Sequence, residues 1–355
     1  MNLKSSTKRG TARRAAGVAT ALAVTLLASA CGSSNDSGAD GSTPTLRWSA
    51  NTINPNQSVI FAAMGRDAFK KEGLNVEFVP AQSNAAAITT GSTDVIVGRL
   101  SDSLALLDKG KEGVVLGKTA VDSPVGLIGN NDVKTIEDLA AKGTECRIAN
   151  LPNGNVYLYV KYFSEKYDLK CALSIVADYK TTVDATVSGT FDASVQNAPV
   201  GATVVALGKA NWLVDPTDPA KAAANKPDFH IVAGTLATST AYAKDHEAEL
   251  KKYFAALDKT QEWMKTASNE EVAEAVKASD VDFWKVQSID EIVSAITGGG
   301  AFENVFDAVG GEVSPISKDL WDEQLELSKD LGIEIDSSDP KYSYESAYDG
   351  SYFKN

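Results

Sequence analysis

Gly91-Ser92-Thr93-Asp94-Val95 and Gly189-Thr190-Phe191-Asp192-Ala193 share one order: Gly, two variable residues, Asp, then a small apolar residue. Each follows a helical stretch and precedes a strand-like run. Glycine suits the left-handed residue that closes a helix, and aspartate helps set the turn into the strand. Two copies roughly a hundred residues apart, each inside a strand–helix alternation, predict two similarly built α/β lobes.

The surroundings of each copy agree. Leu46 to Ala50 reads as a strand. Ile60, Met64 and Ala68 put a helical stripe on Gln57 to Glu72, closed by Gly73. Leu74, Val76 and Phe78 alternate with polar residues, as on a strand. Ala85 to Thr90 is a helix, Val95 to Gly98 a buried strand, and Ser101 is expected to cap a helix bearing Leu104 and Leu107. Val114 to Thr119 is the next strand. The pattern restarts with Thr135 and Asp138 at a helix start, then a strand at Arg147 to Ala149. Strands follow at Leu173 to Val176, Ala193 to Val195 and Asn211 to Val214. Asp215 to Asp228 reads as a surface loop. Beyond it the pattern turns helical, with one stripe through Leu250, Phe254, Leu257 and Met264 and further starts at Ser288 and Ser317.

The N-terminus carries a separate signal. Lys4, Lys8, Arg9, Arg13 and Arg14 precede the apolar stretch Ala15 to Ala30, and Cys31 follows the small residues Ala28-Ser29-Ala30. A basic start, a short apolar run and small residues make an export signal. The cysteine directly after them makes it a bacterial lipoprotein signal, with Cys31 acylated after cleavage. The run is shorter than the ~20 apolar residues of a membrane span. Gly32 to Thr45 is rich in Gly, Ser, Asp and Thr and reads as a flexible tether. The expected location is the outer face of the cytoplasmic membrane.

The formal charge is -13, and removal of the five leader cations leaves -18. That argues against nucleic acid, whose phosphates require basic patches. With Cys31 assigned to lipid, Cys146 and Cys171 remain, and outside the cytoplasm such a pair is expected to form a disulfide. His230 and His246 are the two histidines. No Cys/His cluster accompanies them, so no metal site is expected. No cofactor is called for either: there is no P-loop, no Gly-x-Gly-x-x-Gly after a strand and no Gly-x-Ser-x-Gly elbow.

The chain resembles the solute-binding proteins of ABC importers for nitrate, sulfonates, taurine and thiamine-pyrimidine precursors. The resemblance runs from Leu46 to Asn355. It is carried by Gly65 to Val79, by the two Gly-x-x-Asp steps, by Val133 to Arg147 and by Tyr348-Asp349-Gly350-Ser351-Tyr352. It implies an α/β, two-lobed periplasmic-binding-protein fold of type II, with a mostly parallel sheet in each lobe and a ligand cleft between them. The implied organisation is a leader over 1–30, a tether over 31–45, lobe one over 46–124 and 231–355, and lobe two over 125–230. The crossings, Ser123 to Asn130 and Phe229 to Thr238, would be the hinge. It implies a monomer that is not an enzyme and delivers a small polar or anionic solute to an ABC permease. Relatives often carry an aromatic and an acidic residue before the proline that follows the second Gly-x-x-Asp step. Here Gln196-Asn197-Ala198-Pro199 stands instead, so no relative's ligand is carried over.

In open α/β sheets, ligands bind beyond the carboxyl ends of the strands, near helix N-termini. That rule nominates Asn51, Gln82, Ser83, Arg99, Ser101, Asn153, Tyr179 and Asn197. Arg99 leads the set. It lies between a buried strand and a helix start, and its planar fork suits carboxylate, sulfonate or nitrate oxygens. The competing role is an ion pair with Asp102 or Asp122. The backbone amides near Ser101 and Asn153 are expected to add donors, with Gln82 and Asn197 reading shape from opposite lobes. Two alternatives stay open: an enzyme on the same fold, and a surface lipoprotein that binds a protein partner.

Overall fold

In both sheets, the aspartate of the Gly-x-x-Asp step closes onto the first parallel strand. The computed structural model describes residues 43–50, 53, 55–108, 112–121, 124–152, 154–297, 313–331 and 333–353. Its first sheet is built from β1 (Thr45–Ser49), β2 (Asn75–Phe78), β3 (Val95–Gly98), β4 (Gly113–Val121) and β10 (Val232–Ser239), in the order β2-β1-β3-β10-β4. Its second sheet uses β5 (Val125–Gly129), β6 (Arg147–Asn150), β7 (Ala172–Ile175), β8 (Ala193–Asn197) and β9 (Asn211–Val214), in the order β7-β6-β8-β5-β9. Each sheet therefore has the same layout. The first strand lies between the second and third, and one antiparallel strand, β10 or β5, separates the third from the fourth.

The repeated aspartates sit at one register position. Asp94 Oδ2 accepts the Arg47 amide at 2.7 Å, and the Asp94 amide returns to the Arg47 carbonyl at 2.8 Å. Asp192 Oδ2 accepts the Arg147 amide at 2.8 Å, and its own amide returns to the Arg147 carbonyl at 2.9 Å. Each aspartate thus satisfies a backbone donor where the parallel ladder begins. A buried amide left without that partner costs about 1–3 kcal/mol. Gly91 and Gly189, three residues earlier, take φ of +68° and +76°, the left-handed turn that lets the chain leave the helix. The side-chain partners diverge. Arg47 grips Asp94 with Nε at 3.1 Å and Nη2 at 2.7 Å, whereas Lys142 pairs with Asp192 at 3.1 Å.

Helices cover both faces of the sheets. They are α1 (Ser58–Gly65), α2 (Ala68–Lys71), α3 (Asn84–Thr89), α4 (Leu100–Asp108), α5 (Ile136–Ala141), α6 (Gly154–Lys166), α7 (Tyr179–Val187), α8 (Ala198–Ala206) and α9 (Pro219–Ala224). A helical segment follows with α10 (Thr240–Asp245), α11 (Glu247–Met264), α12 (Asn269–Ala278), α13 (Asp282–Lys285) and α14 (Ile289–Ile296), then α15 (Lys318–Leu327) and α16 (Tyr344–Ala347). Trp48, Phe61, Phe78 and Trp284 form one aromatic cluster on the first sheet, with ring centroids 4.7–5.9 Å apart. Burying side chains of this size stabilises by about 2–3 kcal/mol each. A second core of Leu127, Ile148, Phe163 and Val195 lies on the second sheet. Trp321 and Tyr342, from the C-terminal segment, close the other face of the first sheet.

Several local expectations are corrected. The stripe over Gln57 to Glu72 is two helices, because Asp67 takes φ +54° between α1 and α2. The stretch Asp215 to Asp228 contains α9, capped by Asp218, which accepts from Ala220 and Lys221 amides at 3.0 and 3.3 Å. Ser101 does not stand at the cap position of a helix. It lies in the first turn of α4, and the capping carboxylate is Asp102, which accepts the Arg99 amide at 3.1 Å. Apart from these corrections, Leu327, Leu331 and Ile333 of the C-terminal segment pack with the core of the second sheet.

Candidate functional site

The apolar run Val95-Ile96-Val97 buries β3, and Gly98 ends it. Arg99 then stands at the carboxyl end of a central strand with its side chain half exposed. Its guanidinium lies 3.6 Å from Asp102, a loose ion pair. On its other side it reaches α6: a Cβ at Gly154 would lie 3.4 Å from Arg99 Nη1. Gly154 opens α6, which packs on the second sheet. It has φ +83°, where a side chain would be strained. Arg99 therefore bridges the strand ends of one sheet and a helix start on the other. A guanidinium so placed, with Asp102 only loosely engaged, can offer its fork to an anionic or carbonyl oxygen.

Polar side chains collect around this end of the first sheet. A Cβ at Gly98 would lie 2.6 Å from Asn84 Nδ2 and 2.8 Å from Asp102 Oδ2. Thr235, paired with Gly98 across β3 and β10, donates to the Gly98 carbonyl at 3.2 Å and meets Ser103 at 2.7 Å. At the neighbouring Gly234, the space a Cβ would take is filled by Thr119 and Asn56 side chains. On the second sheet, Gln196 near the end of β8 donates to Thr182 at 2.9 Å and to Ser194 at 2.8 Å. Thr186 also donates to Ser194 at 2.8 Å, so the contact of α7 with β8 is a buried polar one. Asp178 caps α7. The Thr181 amide at 2.7 Å and hydroxyl at 2.9 Å hold its carboxyl below the usual carboxylate range.

The other nominated residues divide. Asn51 and Asn153 lie outside the described residues, as does Cys31. Ser83 spends its hydroxyl as the cap of α3, accepting from Ala86 at 3.3 Å. Gln82 lines an open groove of about 930 Å³ with Ile53, Met64, Phe78 and Phe283, a groove not bordered by Arg99 or Asn197. Asn197 ends β8 directly before Ala198 and Pro199 open α8. Tyr179 and Ser101 are placed by their backbone in the first turns of α7 and α4. The Gly154 amide, beside the nominated Asn153, donates to the Leu331 carbonyl at 2.6 Å, so this first amide of α6 is already engaged. Sequence reasoning missed Asn56, Asn84, Thr119 and Asn150. The signal was present for Asn84 and Asn150, which sit at strand or helix ends next to apolar runs. Among the described residues no group of three His, Cys, Asp or Glu side chains could hold a metal.

The sequence profile described as NMT1/THI5 like matches residues 54–271. The chain belongs to that family. No curated protein sequence matches it. Among solved structures, it is similar to the periplasmic nitrate-binding protein NrtA of Synechocystis PCC 6803, with TM-score 0.62, 14% identity and 87% of each chain covered. It is also similar to the periplasmic aliphatic sulphonate binding protein SsuA of Escherichia coli, with TM-score 0.60, 13% identity, and 82% of this chain and 94% of that one covered. The desulfurization enzyme DSZB matches with TM-score 0.57 and 14% identity over 84% of this chain and 96% of that one. At these identities the likeness establishes a shared fold, the α/β periplasmic-binding-protein fold.

Proposed function

We propose that this NMT1/THI5-like chain is a lipid-anchored, extracytoplasmic solute-binding protein that hands a small polar or anionic solute to an ABC importer. The observation that carries the reading is Arg99, which leaves the end of β3 and meets Gly154 at the start of α6 on the other sheet. A cation held where two sheets converge can be shared by a ligand and both lobes. Sulfonates, nitrate, taurine-like compounds and small heterocycles all present oxygen or ring-nitrogen acceptors that suit it. The lobes would extend over 46–124 with 231–355 and over 125–230. Closure would turn on the two crossings between them, as the chain passes from β4 to β5 and from β9 to β10. Asn197 would add hydrogen bonds from the second lobe, while Gln82, set in a separate groove, would not reach this solute. A monomer presenting both closed lobes to a permease needs nothing further from a partner subunit. The fold likeness to DSZB favours the alternative of an enzyme. The two separate on one point: a carrier raises its melting temperature with the solute and returns it chemically unchanged.

The anchor is tested on its own. Cys31→Ala is expected to release the protein from the membrane fraction, because stable anchoring takes two acyl chains or more and a single chain holds only marginally. Fractionation of cells expressing each form reads this out. A variant that stays membrane-bound after mild washing contradicts the lipoprotein reading. No described helix is long and apolar enough to cross a membrane.

A further inference from the structure

The edge strand β2 runs along the open groove of about 930 Å³ that Arg99 does not border. Val76, Glu77 and Phe78 all line it, and Pro80 and Gln82 continue the wall. Side chains on a strand alternate between its two faces, so three consecutive residues share one groove only where the groove meets the strand edge-on. Among the described residues β2 has a strand neighbour on one side only, β1. The Asn75 amide donates to the Pro44 carbonyl and the Val79 amide to the Trp48 carbonyl, each at 2.8 Å. Alternate residues of a parallel strand turn their backbone groups the same way. Val76 and Phe78 therefore turn theirs outward, into the groove. Pro80, which has no N–H, ends that edge.

The facing wall is the connection from α12 to α13, Ser279 to Phe283. Phe283 is 48% exposed, and Val286 just beyond it is 84% exposed. Apolar surface of this kind, continued by Met64 and Phe78 inside the groove, marks an interaction site. Glu77, Asp280 and Asp282 add carboxylates along it. Asp280 pairs with Lys285 at 2.6 Å. The cross-strand neighbour of Glu77 is Arg47, whose guanidinium is committed to Asp94. Asp280 also stands just past the end of α12 at φ +64°, where a helix favours glycine and a cation. An aspartate there gives up helix stability and puts negative charge at the groove. Ser279 is 8% exposed and its hydroxyl has no partner. Unpartnered hydroxyls also occur away from the groove, at Ser164 and Tyr253, so Ser279 adds a polar contact to the wall without defining it.

The geometry points to this groove as a docking site for an extended peptide segment of a partner protein. The segment pairs with β2 as an added strand and carries aliphatic side chains at alternate positions with basic residues between them. Its strand form follows from the outward backbone groups of Val76 and Phe78. Its aliphatic positions answer Met64, Phe78 and Phe283, and its basic ones answer the three carboxylates. The same carboxylates repel an anionic lipid surface, which sets a membrane contact aside. Gln82, exposed at the far end, can both donate to and accept from the segment. The site is separate from Arg99, so it stands or falls independently of solute binding.

Fluorescence anisotropy on the full-length protein tests it with three labelled hexapeptides. One alternates lysine and valine, one has three lysines followed by three valines, and one is the alternating peptide with every backbone amide N-methylated. The three carry the same side-chain charges, so attraction to an acidic protein alone binds them equally. The alternating peptide is expected to bind at least tenfold more tightly than the other two. The double variant Glu77→Gln, Asp282→Asn is expected to weaken it fivefold or more, and so is Phe283→Ser. All three residues are exposed, so each variant is expected to melt close to the wild-type temperature. Equal binding of the three peptides overturns the proposal. So does an affinity that the variants leave unchanged, or no binding at millimolar peptide. Self-association of the protein alone that Phe283→Ser abolishes would give the surface to a second copy and overturn it as well.

Discussion

Replacing both Cys146 and Cys171 with alanine is expected to lower the unfolding free energy by about 3 kcal/mol, from the loop-closure entropy of the unfolded chain. The two residues are bonded, with Cα atoms 4.6 Å apart and a sequence separation of 25. They lie just before the first register pair of β6 and β7, Arg147 with Ala172. Packing does little to hold β7 in place: Leu173 is 42% and Ile175 58% exposed on this edge strand. The bridge therefore fastens the end of a strand that hydrophobic burial leaves weakly held. Urea unfolding of the oxidised wild type and the double variant measures the loss, and amide exchange localises it to β7. An unchanged midpoint would mean that the edge strand is secured by the ladder alone.

Arg99→Ala is expected to weaken solute binding tenfold or more while leaving the unliganded protein nearly as stable as before. The asymmetry follows from its surroundings. Its ion pair with Asp102 spans 3.6 Å between a half-exposed guanidinium and a more sheltered carboxylate, and exposed pairs of this kind contribute little. A charge-assisted pair of hydrogen bonds to a bound anion contributes much more. Arg99→Lys keeps the charge without the planar fork, so it is expected to restore only part of the affinity. Titration calorimetry with the solute that binds wild type, together with melting of each variant alone, separates the roles. A large loss of unliganded stability would assign Arg99 to structure.

The lobes were legible because their signals are local. A glycine that must turn left-handed and an aspartate three residues on can be read within five residues, and the structure gives both copies the same work. What that window could not contain was the aspartate's partner: Arg47 lies 47 residues before Asp94, and Arg147 lies 45 before Asp192. The antiparallel insertions were hidden for the same reason. β10 lies between β3 and β4, pairing Leu236 with Val97 and Gly117, and no hydrophobic period records which distant strand will be a neighbour. Asp67 and Asp102 defeated the helix boundaries, one by taking a left-handed turn and the other by capping from inside the helix. At the site, Arg99 stood out because a cation followed a buried run. Asn84 and Thr119 did not, because a polar residue at a helix start or on a strand reads as an ordinary cap or surface group until its burial is known.

The central claim is that a small solute binds without being transformed at the convergence marked by Arg99. The most direct measurement is thermal unfolding of the wild-type and Arg99→Ala proteins with millimolar sulfonates, nitrate, carboxylates and pyrimidines, followed by mass analysis of the recovered compound. The account predicts that one chemical class raises the wild-type melting temperature by several degrees, does so far less in Arg99→Ala, and is recovered unaltered. A compound that stabilises both proteins equally, or one that is recovered as a product, would contradict it.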